Sequence, residues 1–331
     1  MKILAIETSC DETSASIIED GHIELSNVVL SQMDIHASFG GVVPEIASRN
    51  HVKNITIVIE EAITQANLTL KDIDSFAVAY GPGLNGSLLI GLSAAKTLSL
   101  TRNKPLIPVH HIAGHIYANR LIGDFKFPLI ALVVSGGHTE LIYMKEHYSF
   151  ERIGATQDDA VGECYDKVAR IIGLGYPGGP KLDKLSKLGQ ATYNLPTPLD
   201  DDSFNFSFSG LKSAVNNLYH NEEQRGNELN KENLACSFQE TVSNLITKKT
   251  KAAINKYEVK QLIVGGGVSA NSSTREKLTN MTKELNVEIL IPPIKYCTDN
   301  AAMIGAAAYY AHLNGDKADL SLNAMPNIKI S

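Results

Sequence analysis

One pattern occurs twice and limits the fold more than any other feature. Residues 2–6 read as a buried strand that turns through Glu7-Thr8-Ser9-Cys10-Asp11 and returns through residues 15–18. Residues 129–134 do the same through Ser135-Gly136-Gly137-His138 and return through residues 141–143. Each is an apolar run, a tight polar turn and a second run, the signature of a hairpin. Each half then offers a later strand, glycine turn and helix: residues 76–80, 81–86 and 88–100 in the first, 262–264, 265–267 and 270–278 in the second. A hairpin followed by βα units, occurring twice, predicts a duplicated α/β fold whose halves flank a cleft. A length of 331 residues suits two such halves, since a domain usually takes ~100–200 residues.

Helical spacing fills the gaps. Residues 44–66 place Ile46, Ile55, Val58, Ile59 and Ala62 on one face, with Pro44 suited to the first turn. Residues 158–172 do so with Val161, Tyr165, Val168 and Ile172. A third helix, residues 233–253, ends in Lys248, Lys249 and Lys251, which read as a solvated face. Residues 192–208, with two prolines and Asp200-Asp201-Asp202, read as a loop.

Composition removes several classes. Lys and Arg number 30 against 36 Asp and Glu, a formal charge of −6, whereas a dedicated nucleic-acid domain usually carries a positive excess. Cys10, Cys164, Cys236 and Cys297 are scattered without a C-x-x-C pair, which argues against a zinc ribbon or a disulfide framework and for reduced thiols. Glu7 interrupts the first apolar run, so no signal-peptide core is expected, and no stretch has the length of a membrane helix. The expectation is a soluble cytoplasmic protein.

Several motifs could carry chemistry. In His110-His111-Ile112-Ala113-Gly114-His115, His111 and His115 stand at i and i+4 on one helical face, where two imidazoles can share a metal. A peptidase of the H-E-x-x-H type needs Glu after the first histidine, and that position is Ile112. Asp299 is a candidate third ligand, although at the start of an Ala-rich helix Thr298 or Asp299 could equally serve as a cap. Two His and one carboxylate leave open positions, which suits Fe2+ or catalytic Zn2+.

Three glycine turns could cradle phosphate. Gly81-Pro82-Gly83-Leu84-Asn85-Gly86 fits the dinucleotide fingerprint, yet Pro82 lacks an N–H and no acidic residue follows before Asp124. Val134-Ser135-Gly136-Gly137-His138 and Gly265-Gly266-Gly267 offer bare backbone instead. Together they favour a nucleotide, with Asp166 and Asp183 as possible acceptors for ribose hydroxyls.

With these strings assembled, the chain resembles the TsaD family of tRNA threonylcarbamoyladenosine synthase subunits. The resemblance rests on Ile6-Glu7-Thr8-Ser9-Cys10-Asp11-Glu12-Thr13, Gly40-Gly41-Val42-Val43-Pro44-Glu45 and Gly81-Pro82-Gly83-Leu84. It continues with the His110–His115 string, Val134-Ser135-Gly136-Gly137-His138-Thr139, Gly265-Gly266-Gly267-Val268 and Thr298-Asp299-Asn300. These occur in family order over nearly the whole chain. The resemblance implies an α/β, two-lobed actin/sugar-kinase/Hsp70-like fold with duplicated lobes around a nucleotide cleft. The implied lobes are residues 1–115, with about 300–331 packing back, and 116–299.

It further implies one divalent metal, Fe2+ before Zn2+, on His111, His115 and Asp299. The adenylate of threonylcarbamoyl-AMP is expected against Val134, Ser135, Gly136, Gly137, His138, Asp166, Gly179, Asp183 and Asn271. The implied reaction is attack by N6 of adenosine-37, beside the anticodon of tRNAs reading codons that begin with A, on the carbamoyl carbon, with release of AMP. The metal would orient and polarise the transferred group. Asp11 is a candidate base or leaving-group contact. Bacterial relatives act with TsaB-like and TsaE-like subunits, and the length resembles the bacterial form.

Competing readings are a metallopeptidase, a label formerly attached to the family, a small-molecule kinase of the same fold, and a nucleotide-responsive scaffold. If tRNA is the substrate, Arg49, His51 and Lys53 or the Lys248–Lys251 run are candidate phosphate contacts.

Overall fold

A computed structural model describes residues 1–226 and 228–331. In chain order the strands are β1 (Lys2–Glu7), β2 (Glu12–Glu19), β3 (Ile23–Ser31), β4 (Ser75–Gly81), β5 (Leu106–His110), β6 (Leu129–Val134), β7 (Thr139–Met144), β8 (Glu151–Ala155), β9 (Gln261–Gly265) and β10 (Glu288–Leu290). The first helices are α1 (Met33–Ala37), α2 (Pro44–Gln65), α3 (Asn85–Arg102), α4 (His111–Tyr117) and α5 (Val161–Ile171). They are followed by α6 (Gly178–Ser186), α7 (Ser209–Gln224), α8 (Lys231–Tyr257), α9 (Ser272–Leu285) and α10 (Ala301–Leu313).

The chain forms two compact units. One comprises Met1–Phe125, Glu146–Phe150 and Pro292–Ser331, the other Lys126–Lys145 and Glu151–Ile291. Each holds one five-stranded sheet, ordered β3-β2-β1-β4-β5 in the first and β10-β9-β6-β7-β8 in the second. Read from the opposite edge, the second order has the same connectivity as the first. In both, an antiparallel meander of three strands is extended by two parallel strands: β1 pairs antiparallel with β2 and parallel with β4, as β6 does with β7 and β9. The expected duplication is therefore a repeated topology.

Central strands explain the continuous apolar runs. All of β6 and residues 3–7 of β1 are buried; on β1, α3 packs on the face of Leu4 and Ile6 and α10 on the face of Ala5, so its apolar run is continuous. In the first unit, α2 and α3 supply Val58, Ala62, Leu92 and Ala95 to a core with Leu4, Ile6, Ile17, Phe76 and Val78. Helix α10 packs on β1, β2 and α4, and nearly all of its first eleven residues are buried. Its alanines permit that proximity, and at Gly305 a Cβ would lie 2.5 Å from Ile18. In the second unit, α5, α7 and α8 build a core from Val161, Tyr165, Leu211, Phe238 and Val242 against Leu132 and Leu262.

Two local expectations need correction. The helix expected from residue 158 begins at Val161 because the Asp158 carboxylate serves another element. It accepts from the N–H of Phe208 (2.8 Å) and Ser209 (3.3 Å) and from the hydroxyls of Ser207 (2.6 Å) and Ser209 (2.7 Å), where α7 starts. The Lys248–Lys251 run is not simply a solvated face. Lys249 is buried, and its ammonium donates to Asp201 Oδ1 (2.6 Å) and to the carbonyls of Asp201 (2.9 Å) and Ser203 (2.7 Å). It pins the Asp-rich loop to α8, while Lys248 pairs with Asp200 and Lys251 with Glu284. Among the described residues no helix is long and apolar enough to cross a membrane.

In the first unit, His147 stacks on Phe125 and Tyr310, with ring centroids 5.6 and 4.0 Å apart. Burial, then the nearby charge of Arg120, pushes its pKa down to about 4 from the ordinary 6.5. Between those values the unfolded chain binds more protons than the folded one, so folding stability falls as pH drops through this window. We predict that the melting temperature declines between pH 6.5 and 4, and that His147→Phe removes part of the decline. An identical pH profile in that variant would refute the assignment.

Candidate active site

Strand β5 ends at His110, whose ring nitrogen Nδ1 accepts from the N–H of Ile112 (3.2 Å) and caps α4. That cap starts the helix at His111, so His111 and His115 fall one turn apart on the same face, with ring centroids 4.7 Å apart and planes at 79°. Between them, Gly114 lets α4 approach α10: a Cβ there would lie 2.8 Å from Ile304.

Close packing brings in the third residue. Asn300 caps α10, its Oδ1 accepting from the N–H of Met303 (3.1 Å), and Ser14 Oγ accepts from that of Ala301 (2.8 Å). The capping role weighed for Asp299 thus falls to its neighbour. The Asp299 carboxylate lies 3.2 Å from His115 Nε2 and 3.6 Å from His111 Nε2. One ligand atom from each residue lies within 4.8 Å of the others.

These residues fit a metal. Both ring nitrogens of His115 are buried without a hydrogen-bond partner, although Nε2 is in contact with Asp299. Leaving such atoms unpaired is costly, and an ion shared with Asp299 would satisfy Nε2. Four-coordinate ligands at ~2.1 Å from an ion lie about 3.4 Å apart, which the two distances from Asp299, 3.2 and 3.6 Å, match. Two imidazoles and one carboxylate can therefore hold a divalent transition metal.

A residue that sequence reasoning missed supports the site. Glu7, fully buried on β1, places Oε2 3.2 Å from His111 Nδ1, and Ser9 Oγ lies 3.1 Å from the same nitrogen. Such a contact fixes the ring so that Nε2 faces the ligand position. Burial by itself opposes protonation of His111, but the charges of Asp299 and Glu7 together outweigh it and raise the pKa to about 9. A bound cation would displace that proton. The available signal was a carboxylate inside an otherwise apolar buried strand, which a strand tolerates only when paired.

Asp11 lies in the β1–β2 turn and is largely buried, its carbonyl accepting from the N–H of Gln32 (3.1 Å). Burial, then the negative charges of Asp11 and Asp299, raises the pKa of Glu12 well above the carboxylate range. Burial and the same two aspartates raise the Cys10 thiol, which makes it a poor nucleophile. By contrast, Thr8 and Thr13 are structural. Thr8 Oγ1 donates to the Ser87 carbonyl (2.8 Å), and Thr13 Oγ1 contacts His51 Nδ1 at 2.8 Å. His51 is fully buried, with Nε2 3.0 Å from the Cys10 carbonyl, so it is no surface phosphate contact. Arg49 is exposed and paired with Glu45 at 2.6 Å.

The chain's own C-terminal segment fills the Gly81–Gly86 turn. A Cβ at Gly81 would lie 2.1 Å from the Met325 carbonyl, and Gly83 N–H donates to Pro326 (3.1 Å). That turn has no room for a dinucleotide.

In the second unit, Ser135 N–H donates to the His138 carbonyl (2.8 Å) and Ser135 Oγ accepts from His138 N–H (3.1 Å). A Cβ at Gly136 or Gly137 would meet nothing within 4 Å, so this backbone is open. Val134 is buried, and its side chain belongs to the core. Gly266, with φ +90°, approaches so closely that a Cβ would lie 2.4 Å from the Val134 carbonyl, while Gly162 brings α5 against Ser135. Asp166 Oδ1 accepts from Gly178 N–H (2.7 Å), and burial raises its pKa against the lowering effect of the Gly178 and Gly179 amides.

Asp183 Oδ1 accepts from Ser272 N–H (3.1 Å) and Oγ–H (2.7 Å), and its Oδ2 pairs with Lys187 at 3.0 Å. Asn271 caps α9 through Thr274 N–H (3.0 Å) and donates to Gln239 Oε1 (2.8 Å), a partner that sequence reasoning missed. A lone Gln in a helix gives no signal. Asp183 and Asn271 are thus joined through Ser272.

The metal geometry makes a prediction. Metal content of about one ion per chain falls to near zero in His111→Ala plus His115→Ala, read by elemental analysis. Glu7→Gln retains a site but weakens metal affinity by about 10–100-fold. Unchanged affinity in that variant would exclude the supporting role of Glu7.

Comparison with known proteins identifies the family. The family described as "TsaD: tRNA N6-adenosine threonylcarbamoyltransferase" matches residues 24–306. A protein of Staphylococcus saprophyticus named tRNA N6-adenosine threonylcarbamoyltransferase is 57% identical over 329 residues, covering 99% of this chain and 96% of that protein. One of Bacillus cereus with the same name is 56% identical over 330 residues, with the same coverage. Among solved structures, full-length HypF in its phosphate- and nucleotide-bound form aligns at TM-score 0.62 and 15% identity, over 95% of this chain and 46% of that one. The activator of 2-hydroxyisocaproyl-CoA dehydratase from Clostridium difficile, with bound ADPNP, aligns at 0.54 and 14%, over 95% of each chain. These two likenesses establish the actin/sugar-kinase/Hsp70 type of fold.

Proposed function

Because the chain belongs to the TsaD family of tRNA N6-adenosine threonylcarbamoyltransferases, we propose that it transfers the threonylcarbamoyl group of threonylcarbamoyl-AMP to N6 of adenosine-37 in tRNAs reading codons that begin with A. The observation that carries this reading is the His111–His115–Asp299 cluster with its unpartnered His115 nitrogen. In the reaction, N6 attacks the carbamoyl carbon, the bond from that carbon to the phosphate oxygen breaks, AMP leaves with the electron pair, and N6 loses a proton.

Fe2+, with Zn2+ as the alternative, is the proposed ion, and it would supply a Lewis acid and a template for the transferred group. The chain's own groups supply the rest. Glu7 and Ser9 hold the His111 ring in place. The open Gly136 and Gly137 backbone, between Ser135 and His138, offers N–H donors to the adenylate phosphate. Asp166, Gly179, Asp183 and Asn271 are assigned to the nucleoside. Asp11 is assigned the N6 proton or the leaving group.

A peptidase reading lacks its base. Ile112 occupies the position such an enzyme gives to Glu, and Glu7 contacts Nδ1 of His111, on the ring edge away from the metal-facing Nε2. TsaB-like and TsaE-like subunits are the proposed partners.

The test is transfer of labelled threonylcarbamoyl from its AMP conjugate into unmodified tRNA by the purified chain with those partners. Modification is expected with the native chain, a drop of at least ~100-fold with His111→Ala plus His115→Ala, and about 100-fold in kcat with Asp11→Asn. No transfer by the complete native assembly would overturn the reading, and full activity in the double-histidine variant would remove the metal from it.

A further inference from the structure

The second unit carries a basic groove that neither the metal cluster nor the adenylate turns use. It measures about 490 Å³ and runs between α5 and α7. Lys167, Arg170 and Lys212 line it together with Ser213, Asn216 and Asn217, and among the described residues its lining holds no carboxylate. On α5, Lys167 and Arg170 stand at i and i+3; on α7, Lys212 with Asn216 and Ser213 with Asn217 stand at i and i+4. Two helices therefore turn one polar face each toward a common channel. In a chain of formal charge −6, this groove gathers three cations along its lining.

The neighbouring acids partly offset this charge. Lys167 pairs with Asp159 and Glu163, each at 2.8 Å, and Lys212 lies 4.0 Å from Asp159. Arg170 lies at the exposed end of α5, where its charge acts on Asp166 one turn back. The Lys167–Glu163 pair is solvent-exposed, and surface pairs of this kind are weak enough to be exchanged for a stronger anion.

We propose that this groove binds the phosphate backbone of the RNA substrate. The proposal rests on the transferase reading and adds the docking surface for its tRNA. Three features favour a polyanion over a single small phosphate. The groove is open to solvent, its donors are side chains rather than a nest of backbone amides, and the neutral Asn and Ser groups suit sugar hydroxyls and bridging waters. It also lies within reach of the adenylate turn of the same unit. Gly162, against Ser135, is five residues before Lys167 and eight before Arg170 on α5, or about 8–12 Å along a helix. Of the sequence candidates, Lys249 and His51 are buried, and Arg49, Lys53, Lys248 and Lys251 stand on α2 and α8, so this is a different surface.

The test measures binding of the full-length chain to an unmodified, fluorescently labelled tRNA over a salt series, with transfer assays alongside. Arg170→Glu plus Lys212→Glu is expected to weaken binding at least tenfold at moderate salt. The slope of log affinity against log salt should become shallower by about two, the loss of two phosphate contacts. KM for tRNA should rise, with kcat and metal content unchanged. Arg170→Lys, which keeps the charge, should bind within about threefold of the native chain.

Should the double variant melt early, exposed Arg170→Ala decides alone, with a loss of about threefold expected. Unchanged affinity and slope in a folded variant would overturn the proposal. So would a double variant that loses inorganic phosphate or AMP but binds tRNA normally, since the groove would then take a small anion. Binding is read independently of transfer. A chain that transferred nothing yet lost tRNA affinity in the variant would support the groove and count only against the transferase reading.

Discussion

Contact between α10 and the elements beneath it is the constraint on which the candidate metal centre depends. Gly305 against Ile18 and Gly114 against Ile304 set how near α10 comes to the sheet and to α4. A side chain at Gly305 would push α10 from the sheet, and one at Gly114 would push it from α4. With the helices this close, the residue just before the α10 cap faces two imidazoles that the chain places far away in sequence. A sub-ångström change in that packing would spoil ligand geometry, which is why the small residues of α10 matter to chemistry as well as to the core.

Around the centre, charge is arranged for a cation. Asp299, Asp11, Glu12 and Glu7 crowd one region, and the raised pKa values of Glu12 and His111 both report excess negative charge in a poorly hydrated place. An ion would relieve that excess. The two sheets share one connectivity, yet the turn after the central strand has diverged in use. After β1 it carries Ser9, 3.1 Å from the candidate ligand His111; after β6 it presents bare glycine backbone. The same hairpin lies in an acidic cluster in one unit and forms the turn proposed to take the adenylate phosphate in the other.

Much of this was legible in sequence, for identifiable reasons. Strands β1, β2, β6 and β7 followed from apolar runs broken by polar turns, and α2 from its periodicity and Pro44. His111 and His115 followed from helical spacing, which is a local property. Glu7 and Gln239 were not legible, because a single polar residue in a strand or helix says nothing of its partner. Lys249 and His51 were misread for a related reason: composition assigns a charged or polar side chain to solvent, while the Asp201 carboxylate in one case and Thr13 with a Cys10 carbonyl in the other made burial affordable.

The sequence by itself determined the strands of the two hairpins, the helix after Pro44, the duplicated order of elements, and the family through ordered motifs. These depend on short-range pattern, turn chemistry and residue identity. Tertiary structure decided which polar groups meet. It released Asp299 from capping by giving that role to Asn300, set Glu7 behind His111, closed the Gly81 turn with the C-terminal segment, and gathered Lys167, Arg170 and Lys212 into one groove on an acidic chain. Those outcomes come from packing distances between elements distant in sequence, and no local pattern encodes a distance.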